Sequence, residues 1–273
     1  MSRNRPRPTM LLRALLYAGL IMALLALARK SFGSRLLGTW NWSVSPPSIE
    51  TVALPTPQPT PSPDTGQSDA GHAAMPNELP EPDGDSAYVV INENIPFFSD
   101  TDKQRTDAFE EYSALDHLGR CGPAYANVCR QLMPTESRDQ VLDVKPSGWK
   151  QALYPDVVDK DFLWNRCHLI AYQLAGENSN ERNLITGTRH LNTVGMLDFE
   201  NDVADYVRRT NGHVLYRVTP MFKDDELVAR GVLIEAYSVE DKGRLQMCVY
   251  CFNVQPGIGI DYATGASWLL ETG

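Results

Sequence analysis

No acidic residue occurs in the first 44 positions, and no Lys or Arg lies between 45 and 85. Averages over the 273 residues hide this unevenness. Long apolar runs are scarce as well. Ala14–Ala28 is the one stretch long enough to approach a membrane span, which excludes a polytopic membrane protein. A surplus of positive charge is also missing, since the formal net charge is −9. With the seven bases of the first 44 residues and the seven acids of 45–85 set aside, 27 acids face 18 bases from Ser86 onward. That field repels phosphate, so a protein that coats nucleic acid through bulk charge is disfavoured. No internal repeat is present. Full disorder is excluded by the apolar and aromatic content of the last two thirds of the chain.

What is there begins with Arg3, Arg5, Arg7 and Arg13, followed by an apolar stretch of about 19 residues counted from Met10, at the short end of what a bilayer core requires. Basic residues at its start place the C-terminal bulk outside the cytoplasm. Two readings stay open. Ala26-Leu27-Ala28 matches a signal-peptidase pattern, whereas Arg29 and Lys30 directly after it disfavour cleavage and favour an uncleaved membrane anchor. The expected organisation is a signal anchor or signal peptide over 1–30, a Pro/Ser/Thr-rich linker over 31–85, and a folded domain over 86–273. Pro46, Pro47, Pro55, Pro57, Pro59, Pro61 and Pro63 stand among Ser, Thr and Gln, a composition that yields an extended spacer.

Within the folded part, Ala87–Ile91 reads as a strand, Thr106–Leu118 as a helix or irregular turn, and Trp164–Tyr172 as strand-like. Phe199, Val203, Tyr206 and Val207 recur at helical spacing, so the pattern predicts a helix over Asp198–Arg209 stopped by Asn211-Gly212. Three apolar runs, His213–Phe222, Leu227–Val239 and Arg244–Val254, are separated by charged turns and read as an antiparallel meander. The fold class is α+β.

The chemistry concentrates between 164 and 200. Asn165-Arg166-Cys167-His168 sets Arg166 and His168 on one side of an extended segment. Asn183, Arg189 and Asn192 follow, and Glu200 falls in the first turn of the predicted helix. Phosphodiester hydrolysis needs these types: a neutral imidazole to take a proton from water, cations to hold phosphates, and amide or carboxylate oxygens for a hard cation. Each has a plainer reading. His168 alone is more often a satisfied structural histidine, Arg166 and Arg189 more often surface ion pairs, Asn183 and Asn192 turn or cap residues, and Glu200 a helix-dipole partner.

In order and spacing these blocks resemble the DNA/RNA non-specific endonucleases of the ββα-metal (His-Me finger) class. The similarity is to the branch of the competence DNA-entry nucleases of Gram-positive bacteria. Asn165-Arg166-Cys167-His168 is similar to the family's Asp-Arg-Gly-His, with Asn for Asp and Cys for Gly. Asn183–Asn192, Gly195-Met196-Leu197, Phe199-Glu200-Asn201, Tyr216–Pro220 and Asn253–Gly257 carry the rest. The resemblance implies a ββα-metal core with an antiparallel sheet and an extracytoplasmic endonuclease acting on DNA and RNA with little sequence preference. It implies His168 as general base and Asn192 as protein ligand to Mg²⁺, with Mn²⁺ as a second candidate. Glu200 would hold metal-bound waters, Asn183 would support the site by orienting His168 or a phosphate, and Arg166 and Arg189 would neutralise phosphates. The contrasting expectation is a non-catalytic surface module that binds DNA for uptake. Cys121, Cys129, Cys167, Cys248 and Cys251 allow at most two disulfides; Cys121 and Cys129 are near enough to pair, whereas Cys248 and Cys251 fall on opposite faces of a strand.

Overall fold

Alternation along three long strands organises the molecule, a computed structural model that describes residues 79–84, 86–138 and 143–271. In β6 (Val214–Met221), β7 (Gly231–Ser238) and β8 (Gln246–Phe252), one set of side chains enters the main core: Val214, Tyr216 and Val218; Val232, Ile234 and Ala236; Met247, Val249 and Cys251. The opposite set is covered too. Leu215 packs with Phe98 and Val239, and Arg217 meets Glu235 directly across the strand pair. Burial of both faces explains why these runs are apolar almost throughout and still obey a period of two. Glu235 is fully buried, taking Arg217 Nε at 2.7 Å and Nη2 at 2.8 Å, with the Phe97 amide at 2.8 Å. A charge taken this far from water is tolerated because its oxygens are so well supplied with donors.

The sheet has six antiparallel strands. β1 (Tyr88–Val90) pairs with β8, then come β7 and β6, and β3 (Ala124–Val128) and β2 (Glu110–Tyr112) complete it. Against the core face lies a separate two-stranded unit, β4 (Trp164–His168) with β5 (Leu184–Thr188), in a register pairing Trp164 with Thr188 and His168 with Leu184. β5 runs into a single π-helical turn, Leu191–Gly195, and then into α2 (Leu197–Thr210). A short helix, α1 (Tyr172–Ala175), follows β4, and a small hairpin of β9 (Ile258–Asp261) and β10 (Ala266–Leu269) ends the chain. In α2, Asp198 and Glu200 occupy the positive end and Arg208 and Arg209 the negative end, and Asn211 closes it in the left-handed conformation at φ 56°.

The meander, the helix of residues 198–209 and the first strand are therefore as expected, and the fold is α+β. Three expectations change. Thr106–Leu118 contains strand β2. The strand from Trp164 stops at His168, because the Asn183 side chain bonds the Ile170 amide and carbonyl and turns the chain into α1. All five cysteines are free and buried, so Cys121 and Cys129 are not bridged. The signal segment and nearly all of the linker lie outside the described residues. Among the described residues, no helix is long and apolar enough to cross a membrane.

Candidate active site

His168 ends β4 and is nearly buried, at 5% exposure. Its Nε2 lies 2.9 Å from the Asn178 carbonyl oxygen, which can only accept, so the proton sits on Nε2 and Nδ1 carries the lone pair. Arg138 Nη2 donates to that Nδ1 at 3.1 Å. Burial first, and the Arg138 charge second, lower the histidine from its ordinary 6.5 to about 4, against the pull of the carbonyl contacts at Asn178 and Glu177. The imidazole is thus neutral at any physiological pH.

The loop after His168 is held from beneath. Asn183 is fully buried; its Oδ1 accepts the Ile170 amide at 2.8 Å and its Nδ2 donates to the Ile170 carbonyl at 3.0 Å. The Asn183 carbonyl also takes the Leu169 amide at 2.9 Å. A side chain buried this way supports the histidine loop and is out of reach of a substrate phosphate.

Glu200 faces inward from the first turn of α2 and is 8% exposed. Burial raises its carboxyl from 4.5 to about 7, with the Arg138 charge opposing. The Arg138 charge acts on both groups, lowering His168 further and opposing the rise of Glu200. Arg138 carried no sequence signal, as it stands alone 30 positions before His168.

Asn192 lies in the π-helical turn, half-buried. Arg166 stacks its guanidinium over Trp149 at 4.4 Å and donates from Nε to the Val144 carbonyl. Arg189 gives Nε and Nη2 to Asp159 Oδ2, at 3.1 and 2.7 Å, on the surface. Of the three arginines, Arg138 is the one bonded to the imidazole. The two departures from the family motif sit quietly. The Asn165 side chain donates weakly to the Leu163 carbonyl, at 3.4 Å. Cys167 is buried and finds its room at Gly187 on β5, where a Cβ would stand 2.6 Å from the Cys167 Cβ. Gly187 on the partner strand leaves the space that the Cys167 side chain occupies.

Among the described residues, no group of three or more His, Cys, Asp or Glu is arranged to hold a metal. The donors present suit a different arrangement. A carboxylate held near neutrality by burial gains from a nearby cation, and a hard divalent ion that keeps most of its waters needs few protein ligands. Asn192 and Glu200 fit such an ion.

Residues 100–240, more than half of the chain, match the family model described as DNA/RNA non-specific endonuclease. A deoxyribonuclease of Streptococcus dysgalactiae subsp. equisimilis is 34% identical over 108 residues, 38% of this chain and 32% of that protein. The chain thus spans about a third of that relative's length. Two structures of NucA from Streptococcus agalactiae, one with no metal bound and one with magnesium ion bound, each align with a TM-score of 0.58 at 29% identity, over 66% of this chain and 85% of theirs. Sda1 nuclease with bound zinc ion aligns with a TM-score of 0.54 at 25% identity, over 68% of this chain and 96% of its own.

Proposed function

Because this chain belongs to the DNA/RNA non-specific endonuclease family, we propose that it is a Mg²⁺-dependent endonuclease that cuts DNA and RNA with little sequence preference outside the cytoplasm. The observation that carries the reading is the neutral, buried His168 with its lone pair directed at an exposed cationic side chain, Arg138. Its N-terminal segment would hold the domain at the membrane or direct its secretion. Mn²⁺ is the second candidate ion.

In this mechanism Nδ1 of His168 accepts the proton of the attacking water, while the Asn178 carbonyl fixes the ring. Arg138 must first release Nδ1. An incoming phosphate takes over the guanidinium, which frees the lone pair and removes the charge that, after burial, depresses His168. Substrate binding and activation of the base are coupled through one side chain. Asn183 keeps the histidine loop in place. Arg166 and Arg189 hold flanking phosphates, for which Arg189 has to exchange Asp159. Asn192 would hold the divalent ion and Glu200 its waters. That ion supplies charge neutralisation at the phosphate and leaving oxygen. Contacts to phosphate carry no base information, hence the broad preference.

The test incubates the full chain with circular plasmid in Mg²⁺ or EDTA, beside the His168→Ala variant. Nicking that needs Mg²⁺ and falls by at least about 100-fold in the variant is the expected result. Unchanged turnover in His168→Ala overturns the general-base role. Retention of DNA without cleavage moves the protein to the class of uptake modules.

A further inference from the structure

The π-helical turn Leu191–Gly195, which carries Asn192, is held at both ends by β8 and the chain beyond it. A helical turn leaves its first amides without internal partners. Here the His190 amide is taken by Gln255 Oε1 at 3.0 Å and the Leu191 amide by Thr188 Oγ1 at 2.9 Å. The Thr188 hydroxyl in turn donates to the Val254 carbonyl at 2.7 Å. Next door, fully buried Asn253 accepts the Thr188 amide at 2.8 Å and donates to the Thr186 carbonyl at 3.0 Å, fastening the end of β5. At the far end of the turn, Cys251 Sγ lies 3.2 Å from the Gly195 carbonyl. The Met196 amide reaches back to Leu191 O at 2.9 Å, the wide i to i+5 closure. Such turns are rare overall yet frequent at functional sites, and a change to ordinary helix would re-aim the residue they carry.

We infer that Gln255 is a positioning residue for Asn192: its side-chain oxygen caps the entrance of the π-helical turn and thereby sets the aim of the amide that holds the divalent ion. This rests on the reading of Asn192 as the ion's ligand. Gln255 is half-buried, and among the described residues its side chain makes no hydrogen bond to His168 or Arg138, so its route to the site is the turn.

The test measures Mn²⁺ binding to the full chain by electron paramagnetic resonance, without nucleic acid, alongside thermal melting. Gln255→Leu keeps the bulk and removes the acceptor; it should weaken Mn²⁺ by roughly 10–100-fold, as partners behind a ligand do, while melting close to wild type. Gln255→Glu keeps an acceptor and should retain at least the wild-type affinity. Should Gln255→Leu fail to fold, Gln255→Asn shortens the reach by one methylene and should weaken binding in the same direction. Asn192→Ala separates the two readings. If it loses Mn²⁺ while the Gln255 variants bind as wild type, the positioning role is overturned and the ligand stands. If Asn192→Ala also binds as wild type, the ligand assignment falls, and the role of Gln255 with it.

Discussion

His168 and Glu200 are buried ionisable groups shifted in opposite directions, and their effects on stability oppose each other. His168 lies at about 4 in the fold against an ordinary 6.5. Between those values the unfolded chain binds more protons, so this residue makes stability rise with pH. Glu200 lies at about 7 against 4.5, so between those values the folded chain binds more protons and stability falls as pH rises. Each effect is worth about 3 kcal/mol, and between pH 4.5 and 6.5 they offset. In EDTA, the melting temperature of Glu200→Gln should therefore climb from about pH 4 to 6.5 and then level off. That of His168→Asn should fall from about pH 4.5 to 7. Melting curves across that range decide it, and parallel flat profiles in both variants would refute the burial of these two groups.

At the scale of elements, the hairpin of β4 and β5 is fastened by asparagines that never meet solvent. Asn183 closes the loop after β4 and Asn253 joins β5 to the large sheet through the Thr186 and Ala229 carbonyls. Asn183→Ala strands the Ile170 amide and carbonyl in an apolar setting, with a loss of about 2–4 kcal/mol. Since the same bonds place the His168 loop, cleavage should fall along with stability. Chemical denaturation with a parallel plasmid assay checks both, and a variant that melts normally and cleaves normally would show that the loop holds itself. The helix and the meander were legible because their periods are written in side chains that all face one core: Val203 and Val207 in α2, Val214, Tyr216 and Val218 in β6. The five-residue strand β5 was not, since it is short and Thr186, Gly187 and Thr188 break its apolar run.

For the molecule as a whole, a net charge of −9 means that long-range attraction does not gather substrate, and binding depends on a few local cations. Three phosphate contacts, as proposed for Arg138, Arg166 and Arg189, would correspond to a slope of about −2.7 in log affinity against log salt. A salt titration of duplex binding to His168→Ala should give a slope no steeper than about −3. A much steeper one would reveal a basic surface beyond these residues. By itself the sequence determined the charge partition, the periodic elements, the family motif and the types of side chain the chemistry requires, because those are local in the chain. Only the tertiary structure decided which of them meet. It brought Arg138 to His168, tied Arg189 to Asp159, and placed Gln255 under the turn of Asn192. Those pairings join positions 30 to 65 residues apart, and no local period records a contact that exists only once two elements have packed.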